Sequence, residues 1–89
     1  MKQYNVEYDP HVIKRMSKLD ASVRNRIKRW IDEHLEGCEN TRLHGKVLSG
    51  EWEGYWRYRV GDYRIIAKIE DDKVIIFVVK IDKLGEIYD

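Results

Sequence analysis

Residues 47–80 read VLSGEWEGYWRYRVGDYRIIAKIEDDKVIIFVVK, and this stretch decides the fold. It contains three runs rich in β-branched and aromatic residues, at about 52–60, 62–70 and 73–81, which is the composition typical of β-strands. Gly61-Asp62 and Asp71-Asp72 separate the runs and are common turn residues. Three consecutive strands joined by tight turns predict an antiparallel meander.

The N-terminal half predicts one strand and two helices. Residues 3–8 alternate apolar and polar side chains, as in a short strand. Asp9-Pro10 is a typical helix start, so a first helix is expected over about 10–18. A second helix of about fifteen residues begins after Asp20 and stops at Gly37. The predicted fold is α+β, a single domain over residues 1–89. Its order is β-α-α-β-β-β, with an antiparallel sheet and a two-helix hairpin packed on one face.

Composition restricts the class of protein. The chain has 89 residues, of which 43% are hydrophobic and 37% charged, as expected for a folded domain. It has no apolar run near the roughly 20 residues of a membrane span and no signal-peptide pattern at its start. A single cysteine, Cys38, excludes an internal disulfide and fits a cytoplasmic location. We interpret Cys38 as incidental rather than as a nucleophile.

Charge is unevenly distributed along the chain. The net charge is only +1, yet residues 1–69 carry fourteen Lys and Arg against ten Asp and Glu, whereas residues 70–89 carry three against six. Dedicated nucleic-acid binders usually have a pI above about 9. Any contact with RNA must therefore come from local clustering of cations.

Alternation along the strands places several cations on one sheet face. Trp56, Tyr58 and Val60 are expected under the helices, which leaves Arg57 and Arg59 on the opposite face. The next strand adds two cations to that face, Arg64 and Lys68. Such a cluster could bind an anion, whereas isolated surface cations more often serve solubility or pair with carboxylates. Sequence alone leaves both readings open.

The aromatic residues and histidines are weaker signals. Trp30 and Trp56 fall on apolar stripes and are predicted to be core, while Trp52 is undecided between core and base stacking. The three histidines share no metal-ligand spacing, so neither a metal nor another cofactor is expected. Only His44, in a glycine-flanked loop, is retained as a candidate site residue, and an ordinary loop histidine is the favoured alternative.

The central motif resembles that of a known toxin family. The central motif of the RelE-type toxins is similar to Leu48-Ser49-Gly50 followed by Gly54-Tyr55-Trp56-Arg57-Tyr58-Arg59-Val60-Gly61-Asp62-Tyr63-Arg64. The similarity continues to a C-terminal Glu86-Ile87-Tyr88. It implies a toxin that is neutralised by a cognate antitoxin, and usually an mRNA endoribonuclease that acts in the ribosomal A site.

The resemblance also implies roles for individual residues. In a metal-independent reaction the RNA 2′-hydroxyl attacks the adjacent phosphate, which requires a base, an acid and cations. Arg64 matches the family's phosphate-binding arginine. Arg57 and Arg59 match neighbouring basic positions and would bind RNA phosphates, a role that strand alternation also gives to Lys68. Lys46 and Lys83 are the candidate general base or acid. Tyr88, which could also stack on a base, and Glu86 rank below them. Leu84 stands where relatives often carry arginine, a change that can cost about two or three orders of magnitude in rate.

Two other functions are compatible with the same sequence. The superfamily includes ParE-type toxins, which inhibit DNA gyrase, and the chain could also be a weakened toxin that acts through antitoxin binding and operon repression. The expected partners are a cognate antitoxin, the ribosome with its mRNA, and operator DNA bound through the antitoxin. No membrane partner is expected.

Overall fold

Five strands and two helices form the part of the chain that the structure, a computed structural model, describes, which is residues 3–84. The elements are β1 (Asn5–Tyr8), α1 (Pro10–Ser17), α2 (Ala21–His34), β2 (Gly45–Val47), β3 (Trp56–Val60), β4 (Tyr63–Glu70) and β5 (Ile75–Lys83). A single 3-10 turn, Gly50–Trp52, lies between β2 and β3. The predicted α+β class, with two helices and a sheet, is confirmed.

Sequence-encoded signals mark the start of α1 and the end of α2. The Asp9 carboxylate accepts a hydrogen bond from the backbone N–H of His11 at 3.1 Å, and Pro10 occupies the first helical turn of α1. Beyond α2, Gly37 adopts a positive φ of 76°, which glycine tolerates without strain, and its N–H donates to the Tyr4 carbonyl at 2.7 Å. This bond returns the chain to the start of β1.

Sheet order is β1-β5-β4-β3-β2, and two details differ from the prediction. The sheet is mixed rather than wholly antiparallel, because β1 pairs in parallel with β5. No hairpin constrains the direction of β1, since two helices separate it from the remaining strands. The second difference is β2, which lies in a segment expected to be loop and pairs antiparallel with β3.

The core lies between the helix pair and one face of the sheet. It consists of buried residues from both layers, among them Val12, Ile27 and Ile31 from the helices and Tyr58, Ile65, Ile76 and Ile81 from the strands. Trp30 and Trp56 pack against this core, as predicted. The helices therefore cover one face of the sheet only. We call the other face, which carries Lys46, Arg57, Arg59 and Arg64, the open face.

Candidate functional site

Arg59 and Arg64 are direct partners across the β3–β4 ladder. Residues opposite each other in an antiparallel pair project from the same face with Cβ atoms about 4.5–5.5 Å apart. Both arginine side chains therefore project from the open face, on neighbouring strands, as the alternation predicted. Like charges in this arrangement are destabilising, which makes the pair unusual for a face that serves only solubility.

The adjacent row of the sheet adds three more cations. Lys46 of β2 lies opposite Arg57 of β3, Arg57 lies opposite Ile66 of β4, and Ile66 lies opposite Lys80 of β5. Ile66 is fully buried although it belongs to this row rather than to the core between helices and sheet. The row is therefore a small apolar centre flanked by positive charge on both sides.

Within residues 3–84, a carboxylate pairs with Lys80 but none pairs with the arginines of this cluster. Asp82 lies opposite Arg64 on β5, but its carboxylate oxygen is 3.3 Å from Lys80 Nζ. In the same described range, Arg57, Arg59 and Arg64 form no ion pair, and the Arg64 Nε is buried without a hydrogen-bond partner. A buried donor without an acceptor costs free energy, so an anion that reached Arg64 would gain a charge-assisted bond.

A groove of about 280 Å³ runs along the cluster and is lined by His44, Lys46, Arg57 and Arg59. Arg59 also borders a second groove of about 300 Å³ beside α2, whose lining includes Arg26 and Arg29. The guanidinium of Arg59 thus connects two basic depressions. Cations outnumber carboxylates in the two grooves, because Glu33 is the one acidic residue among their lining side chains, and such a surface suits a phosphate backbone.

Trp52, which the sequence left undecided between the core and a base-stacking role, lies on the open face and not in the core. The 3-10 turn Gly50–Trp52 brings its indole near β5, where Lys80 Nζ lies 5.6 Å from the ring centroid. Tyr55 contacts the same ring edge-on at 5.3 Å between centroids. An indole beside cations is a surface on which a nucleobase can stack.

The predicted site residues do not all meet. Lys68 lies on the same face as Arg64 but four residues further along β4, about 13 Å away at the usual strand rise. Lys83 pairs with Tyr63, so the register places it on the helix-covered side rather than with Arg64. Tyr88 and Glu86 lie outside the described residues. The structure thus groups Arg57, Arg59, Arg64 and Lys46 and leaves Lys68 and Lys83 apart.

Sequence reasoning missed two members of the site. Lys80 and Asp82 flank the cluster from β5, and their alternation with Ile81 is the signal that could have identified them. The pairing of Lys46 with Arg57 was not foreseeable, because a strand of three residues is too short to show periodicity.

Other chemistry-bearing groups have simpler explanations. Burial raises the pKa of the Cys38 thiol, which disfavours the nucleophilic thiolate. Among residues 3–84, no group of three or more His, Cys, Asp and Glu side chains is arranged to hold a metal ion. The helices of this range are all too short or too polar to cross a bilayer.

Comparison with known proteins identifies relatives along nearly the whole chain. Residues 6–88 match the family model described as the ParE toxin of the parDE type II toxin–antitoxin system. The mRNA interferase toxin RelE of Escherichia coli (strain K12) is 30% identical over 81 residues, which cover 90% of this chain and 82% of the relative.

Solved structures resemble the fold closely. The RelBE2 toxin–antitoxin complex of Mycobacterium tuberculosis contains a chain that matches with a TM-score of 0.82 at 21% identity, covering 91% of this chain and 98% of that one. The archaeal RelE–RelB complex of Pyrococcus horikoshii matches with a TM-score of 0.71 at 27% identity, covering 93% and 97%. The order and packing of helices and strands described above are therefore shared with toxins solved beside their antitoxins.

Proposed function

This chain belongs to the RelE/ParE superfamily of type II toxin–antitoxin toxins, and on that premise we propose that it is an endoribonuclease that cleaves mRNA on the ribosome. The E. coli relative is named an mRNA interferase, which supports the nuclease activity. The observation that carries the proposal is the facing pair Arg59–Arg64, unneutralised by carboxylates and continued by Lys46 and Arg57. Cleavage by attack of the RNA's own 2′-hydroxyl needs these cations because charge develops on the phosphoryl oxygens.

In the proposed reaction the arginines bind the scissile phosphate. Arg64 offers a donor that has no partner within the described chain, and Arg59 lies directly across from it. A planar guanidinium can give two parallel hydrogen bonds to phosphate oxygens. Arg57 neutralises the next stretch of backbone, and Lys46 protonates the leaving 5′-oxygen. The roles of Lys68, Lys83 and Tyr88 stay predictions from the sequence. The register makes Lys83 a weaker candidate for proton transfer than Lys46.

Purified protein tests this proposal with ribosomes that are programmed with a defined mRNA. We expect cleavage in the presence of translating ribosomes, and Arg64→Ala should lower the rate by about 10²–10³-fold. Lys14→Ala removes the same charge from the exposed side of α1 and is the matched control, with wild-type activity. Intact mRNA with the wild-type protein, or equal rates for Arg64→Ala and Lys14→Ala, would contradict the proposal.

Gyrase inhibition is the second candidate function, because the matching family model is described as a ParE toxin. It predicts that the purified protein arrests DNA supercoiling by gyrase while mRNA stays intact. A chain that does neither, yet still binds its antitoxin, would instead be a weakened toxin that represses its own operon. Supercoiling and cleavage assays on one preparation separate these three outcomes.

A cognate antitoxin is the partner we propose in each case, since the relatives from M. tuberculosis and P. horikoshii are solved as toxin–antitoxin complexes. A groove of about 390 Å³ between the helices supports a docking place, because apolar side chains from Tyr8, Ile13 and Met16 line it beside Arg24 and Lys28. Ile13 is 56% exposed, which is unusual for an isoleucine. Ile13→Asp should weaken binding of a co-expressed acidic antitoxin, and unchanged affinity would exclude this groove. Ribosome dependence, contact with operator DNA and a cytoplasmic location also stay predictions.

A further inference from the structure

The groove that is lined by Lys46, Arg57 and Arg59 of the cationic cluster has one lining side chain of different chemistry, His44. The other three lining groups are the Lys46 ammonium and the guanidiniums of Arg57 and Arg59. Ammonium and guanidinium groups ordinarily carry their protons at neutral pH, with typical pKa values of about 10.4 and above 12, so they donate protons rather than accept them. Imidazole ordinarily changes charge between about pH 5 and 8 and can accept a proton there.

The ring of His44 is held in place although the residue is exposed. Its centroid lies 4.9 Å from that of His34 and 6.1 Å from that of Trp30, with both contacts edge-on. His34 in turn stacks on Trp30 at 4.6 Å, and its Nδ1 lies 2.9 Å from the Trp30 carbonyl oxygen. Because a carbonyl oxygen only accepts, this Nδ1 carries the proton. The three rings form a cluster that is tied to the backbone of α2.

The backbone on both sides of His44 is also fixed. Before it, the buried Tyr58 hydroxyl donates to the Thr41 carbonyl at 2.6 Å. After it, Gly45 lies against the Tyr58 ring, where an added Cβ would come within 2.7 Å of a ring carbon. Only glycine permits this close approach. An ordinary loop histidine on the surface does not require fixed backbone on both sides or ring contacts with two other aromatic side chains.

We propose that His44 is the general base of this groove, which deepens the proposed nuclease function and rests on it. The proton of the RNA 2′-hydroxyl passes to a ring nitrogen of His44, and the freed electron pair of the 2′-oxygen forms a bond to the adjacent phosphorus. The bond from phosphorus to the 5′-oxygen breaks, and that oxygen takes a proton from the Lys46 ammonium. The products are a 2′,3′-cyclic phosphate and a 5′-hydroxyl, and both side chains recover their protonation states from water.

Several charged side chains surround His44. The charged and titratable side chains that face it or line its groove are Lys46 from β2, Arg57 and Arg59 from β3, and His34 from α2. Glu33 of α2 lies in the neighbouring groove together with Trp30 and Arg59. Cations therefore dominate, and they also stabilise the phosphate that the proposed base serves.

Single-turnover cleavage of mRNA on programmed ribosomes, measured from pH 5 to 8, tests the proposal. His44→Phe keeps an aromatic ring against Trp30 but removes both nitrogens. It should lower the rate by about 10²-fold or more, as expected for loss of a general base, and should abolish the rise of the rate with pH over this interval. His11→Gln is the matched control, because it removes a histidine from the exposed start of α1 and should keep both rate and pH profile.

The outcomes separate this inference from the function on which it rests. If His44→Phe cleaves with the wild-type rate and pH profile while Arg64→Ala is inactive, the nuclease proposal stands and the role of His44 is refuted. If the wild-type protein never cleaves mRNA, both proposals fail. Loss of activity in His44→Phe counts in favour only when thermal unfolding shows a wild-type Tm and the pH dependence has vanished, since a packing defect would leave the pH profile unchanged.

Discussion

The hydroxyl of Tyr58 should contribute measurably to the stability of this domain through a buried hydrogen bond. Tyr58 is fully buried, and its hydroxyl donates a 2.6 Å hydrogen bond to the carbonyl of Thr41, a residue that is only 2% exposed. Tyr58→Phe removes one oxygen atom and keeps the ring in the core. It leaves the buried Thr41 carbonyl without this donor.

The magnitude follows from these contacts. A typical hydrogen bond contributes about 0.5–1.5 kcal/mol net, and a buried acceptor left without a partner costs about 1–3 kcal/mol. We therefore expect Tyr58→Phe to lower the free energy of unfolding by about 1–3 kcal/mol. Domains of this size lose about 4–8 °C in Tm for each kcal/mol. The loss is large beside a total stability of about 5–15 kcal/mol.

Urea unfolding followed by circular dichroism measures this difference. Tyr63→Phe is the matched control, because it deletes the same atom from a half-buried tyrosine whose hydroxyl has no hydrogen bond within residues 3–84. The control should change the free energy of unfolding by less than about 0.5 kcal/mol, as do most substitutions away from such features. Equal stabilities of Tyr58→Phe and Tyr63→Phe would refute the assignment of this bond as an anchor of the loop before His44.

Three further predictions concern stability. Asp9→Ala removes the cap of α1 and should cost about 1 kcal/mol in urea unfolding, and an unchanged midpoint would show that Pro10 alone starts the helix. Ile66→Ala should cost about 2–5 kcal/mol despite its place on the open face, because the side chain is fully buried, whereas Ile13→Ala should cost almost nothing. Burial raises the pKa of Tyr8 to about 12 from its ordinary 10.0, so its neutral phenol favours the folded state. The contribution of this phenol to the free energy of unfolding should be fully present below pH 10 and should be lost as pH rises towards 12. Tyr8→Phe should reduce that loss. The same decline in wild type and Tyr8→Phe would contradict this reading.

Local patterns in the sequence were sufficient to predict most of the helices and strands and the face on which the arginines lie. The Asp9-Pro10 start of α1, the apolar stripe of α2 and the strand alternation that separates Arg57 and Arg59 from Tyr58 are properties of neighbouring residues. Their side chains follow the periods of the helix and the strand, which are fixed by backbone geometry. The α+β class and the shared face of the arginines were accordingly predictable, and both are confirmed.

The tertiary structure alone decided which distant segments meet. The parallel pairing of β1 with β5, the position of Lys46 opposite Arg57 and the contact of His44 with Trp30 each join residues that no local period relates. Register between separated strands depends on how whole layers pack, and a shift of one residue exchanges the two faces of a strand. That is why Lys83, close in sequence to the cluster, lies on the other side of the sheet, while His44, in a loop with no periodicity, lies in the groove.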